Sequence, residues 1–169
     1  APTTSAAPAE SAAAGTFLER ALAGEFTGTT VTATGPFVDE DAVKFNASIK
    51  SFEDTTGINI DYAGTKEFEA TISARVDASD APDIVDFPQP GLLASFAKGG
   101  KVIDLSKFLD MAALKKNYNQ SWLDMGTMAG ASGDILAGIF DRVNGKSFVW
   151  YPKKAFDAAG YQVPTTWAE

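Results

Sequence analysis

The chain has 169 residues, 45% hydrophobic and 21% charged, a balance that suits a globular protein able to bury one ordinary core. Its formal net charge of −8 argues against a nucleic-acid partner, because phosphate binding needs clustered Lys and Arg. With neither Cys nor His in the sequence, disulfide scaffolds, Cys-ligated zinc sites, Cys nucleophiles and His-dependent triads are excluded within this segment.

Residues 1–15, rich in Ala, Pro, Ser and Thr, read as a flexible spacer. They lack the basic-then-apolar order of an intact signal peptide, and no stretch of the chain approaches the roughly 18 apolar residues that span a bilayer. Phe17, Leu18, Ala21 and Leu22 permit a short helix within residues 16–26. Residues 29–34 are β-branched and alternating, a first strand stopped by Gly35-Pro36. Val38, Ala42, Phe45, Ile49 and Phe52 then recur at spacings of 4, 3, 4 and 3, one apolar face of a helix. Asp39, Glu40 and Asp41 crowd its first turn, where carboxylates offset the positive end of the helix dipole. Gly57 is its expected C-terminal stop.

Ile58, Ile60 and Tyr62 alternate with polar residues in a second strand that ends at Gly64. Phe68, Ile72 and Val76 form one stripe of a helix over residues 66–78. A third strand is expected over 84–87, followed by a turn at Pro88-Gln89-Pro90-Gly91, and Leu92, Leu93, Phe96 and Ala97 make a compact helix closed by Gly99-Gly100. This repeated strand–helix order predicts an α/β fold with a parallel sheet and right-handed crossovers. Binding sites in such sheets lie in the loops after the strands, here residues 35–40, 64–67 and 88–91.

Beyond Lys101 the pattern changes. Short helical pieces are expected as far as Met128, strands over 135–140 and 147–151, and a helix over 152–159 with Gly160 past its end. Trp150 and Tyr151 are expected in a core, as is Trp122, and Trp167 against the start of a further helix. Pro164 to Glu169 reads as a helix entrance, so the chain is expected to be a fragment.

Four stretches resemble the extracellular sugar-binding proteins of ABC importers, of the maltose and α-glucoside type. They are FNASIKSFEDTTGINIDY (45–62), ASDAPDIVDFPQPGLLASFAKGGKVIDL (78–105), DILAGIFDRVNGKSFVWYPKKAFDAAGYQVP (134–164) and TTWAE (165–169). They stand in the family's order, and the likeness covers about residues 28–169. Asp141 departs from the pattern, standing where many members carry proline or tyrosine. The resemblance implies a type II periplasmic-binding-protein fold, in which ligand sits between two closing lobes. Residues 16–141 would be the first lobe, 142–146 the first crossover and 147–169 the start of the second lobe. It also implies a sugar or oligosaccharide ligand, an ABC permease as partner, a place outside the membrane, no enzymatic activity and no cofactor. The family's lipoprotein form would carry a lipidated Cys just before Ala1.

Sugars are held by hydrogen bonds to hydroxyls and by aromatic rings stacked on apolar sugar faces. Phe37 can stack in this way or merely staple its helix. Gln89 is a polar group held in a rigid turn, whose other reading is turn chemistry alone. Gly35 and Gly91 would let backbone approach the ligand. Lys66 and Glu67 can bond hydroxyls or be a solvated first helical turn. Arg142 offers a guanidinium fork for neighbouring hydroxyls or a structural ion pair with Asp141 or Asp86. No residue is expected to be catalytic or to ligate a metal.

Two other classes are weaker. A carboxylate glycosidase needs two carboxyls facing each other about 5–9.5 Å apart, but Asp39, Glu40 and Asp41 fan out from consecutive helical positions. A nucleotide-binding turn needs glycines that residues 34–39 lack. Within binding proteins a polyamine ligand stays open, through Asp39, Asp86 and Tyr62.

Overall fold

The computed structural model describes residues 15–143 and 148–166 of the chain. The described residues fall into two compact units that divide between Ile139 and Phe140.

The first unit opens with helix α1 (Phe17–Leu22), capped by Thr16, whose hydroxyl accepts from the Glu19 N–H while the Glu19 carboxylate accepts from the Thr16 N–H. Strand β1 (Thr30–Gly35) lies at the centre of a parallel sheet of order β2-β1-β3. Strand β2 (Asn59–Gly64) pairs with β1 from Thr30↔Asn59 to Gly35↔Gly64, and β3 (Ile84–Val85) pairs at Ala33↔Ile84 and Thr34↔Val85. The crossovers are helix α2 (Asp39–Thr56) and helix α3 (Phe68–Asp77). The predicted parallel order therefore stands in the structure.

Helix α2 half-buries its expected face of Val38, Ala42, Phe45, Ile49 and Phe52. It ends at Gly57, whose φ of 69° is left-handed and whose N–H donates to the Glu53 carbonyl at 2.8 Å, the C-terminal arrangement that glycine adopts at least cost. The Glu53 carboxylate accepts from the Ile60 N–H at 2.8 Å and so fastens α2 to β2. On α3, Phe68 and Ile72 lie one turn apart and are only 2% and 1% exposed, and Val76 continues the stripe half-buried. They form the centre of the core with Ala33, Ala97, Leu123, Leu136 and Ala137.

Helix α4 (Pro90–Lys98) begins earlier than predicted. Pro90 and Gly91 form its first turn, because proline lacks an N–H that this position would leave unbonded and already holds helical φ. Strand β3 is also shorter than predicted. Its last ladder bond runs from the Asp86 N–H to the Thr34 carbonyl at 2.8 Å, after which Phe87 turns inward to meet Phe68 edge-on at 5.6 Å and Phe96 at 5.7 Å.

A 3-10 turn (Leu105–Lys107), α5 (Met111–Asn117) and α6 (Gln120–Gly126) lead to an antiparallel pair, β4 (Thr127–Gly130) and β5 (Gly133–Leu136). Residues 127 and 128 are thus strand where helix was expected, since pairing with β5 overrides local propensity. The strand expected over 135–140 stops at Leu136. Trp122 is half-buried, in part agreement with a core role.

In the second unit, helix α7 (Lys153–Ala159) ends at Gly160 with a left-handed φ of 71°. Phe156 packs against Tyr151 at 5.1 Å and Tyr161 at 5.6 Å. No strand forms over residues 148–151, and Trp150 is 89% exposed. This corrects the core reading of Trp150 and Tyr151 within the chain: the described residues of this unit supply no sheet for those rings to pack beneath. Residues 144–146 of the predicted crossover, residue 147 of the predicted strand that follows it, most of the predicted spacer, and Trp167 lie outside the described residues. No helix among the described residues is long and apolar enough to cross a membrane.

Candidate functional site

Because β1, β2 and β3 run parallel, their carboxyl ends share one edge of the sheet, and the three loops that follow them emerge together. The first loop is drawn over the second strand. Tyr62 on β2 accepts a hydrogen bond from the Phe37 N–H at 3.0 Å. Phe37 stacks on Tyr62 with ring centroids 6.1 Å apart and meets Phe45 of α2 at 5.5 Å, and Phe45 meets Tyr62 at 4.4 Å. Phe37 is therefore fixed by aromatic contacts within its own chain while remaining half-exposed.

Glycine is required at two strand ends by close approach. A β-carbon on Gly64 would stand 1.7 Å from the Phe37 carbonyl oxygen, and one on Gly35 would stand 2.8 Å from both the Asp86 β-carbon and the Tyr62 hydroxyl. Gly35 is buried, so chain packing accounts for its identity. Gly91 differs: it is exposed, and a β-carbon there meets nothing within 4 Å.

The charged groups link the loops. Lys66 in the second loop pairs with Asp39 at the start of α2, with 3.1 Å between them. Asp39 has a φ of 53°, a left-handed conformation that is costly for a residue with a side chain. Glu67 donates its backbone N–H to the Thr65 hydroxyl at 3.1 Å, and its side chain is exposed. In the third loop the Gln89 amide nitrogen donates to the Glu69 carboxylate on α3 at 2.9 Å. Asp86, at the end of β3, holds its Oδ2 shielded from solvent. Gly35, Phe37, Lys66, Glu67 and Gln89 thus gather at one end of the sheet, with Gly91 in the first turn of α4. Arg142 belongs to the second unit and is exposed.

Sequence reasoning missed two participants. In the sequence Tyr62 reads as a strand residue and as a polyamine contact, yet its hydroxyl accepts from the Phe37 N–H and closes the first loop. Glu69 had no signal at all, because its bond to Gln89 joins positions twenty apart that only the crossover brings together.

The model of the bacterial extracellular solute-binding protein family fits residues 28–169. The chain belongs to that family. Among curated relatives of this solute-binding chain, the osmoprotective compounds-binding protein GgtB of Synechocystis sp. is 38% identical over 139 residues, 82% of this chain and 32% of that protein. The α-glucosides-binding periplasmic protein AglE of Rhizobium meliloti is 34% identical over 145 residues, 84% of this chain and 31% of that protein. The chain therefore spans about a third of the length of these relatives. Among solved structures, CpMnBP1 with mannotriose bound aligns with a TM-score of 0.53 at 18% identity, covering 63% of this chain and 27% of its own. An uncharacterised protein of Listeria monocytogenes aligns with a TM-score of 0.50 at 19% identity, covering 57% and 25%. These two structures share with this chain the α/β arrangement of a parallel sheet flanked by helices.

Proposed function

We propose that this solute-binding chain provides one wall of a carbohydrate cleft, in a protein that captures a sugar or oligosaccharide outside the membrane and delivers it to an ABC permease. The observation that carries the reading is the convergence of three post-strand loops on one sheet edge, bearing an aromatic ring at Phe37 and polar groups at Lys66, Glu67 and Gln89. This pairing of ring and hydrogen-bonding groups suits the two faces of a sugar. The relatives, AglE binding α-glucosides and GgtB binding osmoprotective compounds, support a small polar organic ligand, and AglE favours an α-glucoside.

In this reading residues 16–141 form the first lobe of a type II periplasmic-binding-protein fold, 142–146 the crossover and 147–169 the opening of the second lobe. Arg142 would face the ligand from the crossover, and Gly91 would leave room for it beside Gln89. A lipidated Cys preceding Ala1 would tether the protein at the cell surface. The protein is a carrier and performs no chemistry on its ligand. The Lys66–Asp39 ion pair weighs against a polyamine, since it already gives Asp39 a cationic neighbour.

Calorimetry on a protein of the family's full length, titrated with maltose, trehalose, sucrose and spermidine, tests the proposal. Binding of one or more of the sugars is expected. Binding of spermidine alone overturns the carbohydrate reading.

A further inference from the structure

The Gln89 side chain on the third loop is hydrogen-bonded by a residue outside that loop, Glu69 of α3. Gln89 stands between Pro88 and Pro90 with an extended backbone, φ −157° and ψ 151°, as residues before proline do. Below it, Phe87 is wedged between Phe68 and Phe96. The backbone of Gln89 is thus held on both sides, and its remaining freedom lies in the rotations of its side chain, the last of which turns the amide.

An amide can present a donor or an acceptor, and a half-turn exchanges them. At 2.9 Å from Gln89 lies a Glu69 carboxylate oxygen. An ionised carboxylate only accepts, so the nitrogen end of the amide faces Glu69 and the oxygen end is turned away. Both residues are exposed, and Gly91 leaves open space beside them.

We propose that Glu69 is a positioning residue, which fixes the Gln89 amide so that its oxygen accepts a hydrogen bond from a free hydroxyl of the ligand. The inference rests on the cleft reading above and narrows it. The ligand is an uncharged polyhydroxy compound that donates at this position. A ligand whose matching group only accepts, such as a methyl ether or a carboxylate, is disfavoured there, and a carboxylate is disfavoured further by the charge on Glu69.

The test uses the family-length protein, the sugar that binds in the calorimetric panel, and the set of that sugar's mono-O-methyl derivatives. In the wild type, methylation at one position is expected to weaken binding about 3- to 10-fold, the size of one neutral hydrogen bond. Gln89→Ala should remove that penalty. Glu69→Gln, which can offer Gln89 either a donor or an acceptor, should weaken binding of the unmodified sugar and shrink the same penalty. In the Gln89→Ala background, Glu69→Gln should have no further effect. A role limited to stabilising the fold would move the melting temperature and leave the methylation pattern unchanged.

The positioning role is overturned if Gln89→Ala weakens binding while Glu69→Gln leaves affinity and methylation pattern as in the wild type, or if Glu69→Gln acts equally with Gln89 absent. If Gln89→Ala and Phe37→Ala both leave sugar binding untouched, the cleft reading fails instead, and the two failures are told apart.

Discussion

Gly64 lies directly beneath the carbonyl of Phe37, so close that a β-carbon on Gly64 would fall 1.7 Å from that oxygen. The loop leaving β1 crosses the end of β2 with no room for a side chain. The Phe37–Tyr62 hydrogen bond, 3.0 Å long, holds it in that path.

Gly64→Ala must therefore displace the first loop. A cost of about 1–3 kcal/mol is expected from the overlap, measured as a lowered urea midpoint, together with weaker sugar binding. Gly91→Ala is the control: its β-carbon meets nothing within 4 Å, so stability should change by no more than about 0.5 kcal/mol. Equal effects from the two substitutions would contradict the geometry.

Phe68 is 2% exposed and meets Phe87 edge-on. Phe68→Ala should cost about 3–5 kcal/mol, as large aromatic truncations in cores do. Because Phe87 anchors the third loop, the same variant should loosen Gln89. Denaturant unfolding reads the first effect, and hydrogen exchange across residues 86–92 reads the second.

Stability should also respond to acid through Asp83. Its carboxylate accepts from the Thr32 hydroxyl at 2.7 Å and the Thr32 N–H at 2.9 Å, and its own N–H returns a bond to that hydroxyl at 3.0 Å. The Thr32 hydroxyl first, and then its amide, hold the Asp83 carboxyl below its ordinary value. A group with a depressed folded value stabilises above its unfolded value, about 3.9 for Asp, and loses that contribution as pH falls through the folded one. Wild type should therefore exceed Asp83→Asn in melting temperature at pH 7, with the gap closing below about pH 4. A gap that persists unchanged to pH 2 would refute the carboxylate's role.

Asp104 links the 3-10 turn to the second sheet. Its Oδ1 accepts from the Ser106 hydroxyl at 2.7 Å, the Ser106 N–H at 3.1 Å and the Leu136 N–H at 3.2 Å. Asp104→Ala should lower the melting temperature and speed exchange at the Leu136 amide. Unchanged exchange there would show that β5 does not depend on this link.

The order of strands and helices was legible in the chain because each depends on neighbours a few residues apart. The apolar face of α2 shows in the spacing of Val38 to Phe52, and its end shows in Gly57, a residue free to take a left-handed φ of 69°. The parallel sheet followed from that order, and with it the edge on which the loops gather. What lay beyond the sequence was set by contacts between distant positions. Residues 127 and 128 became strand only because β5 returned to pair with them. Gly35 and Gly64 owe their identity to atoms of Asp86, Tyr62 and Phe37. The partner of Gln89 was decided when α3 brought Glu69 to the third loop. Periodicity records which face of an element turns inward, but the group it meets there depends on the path of the whole chain.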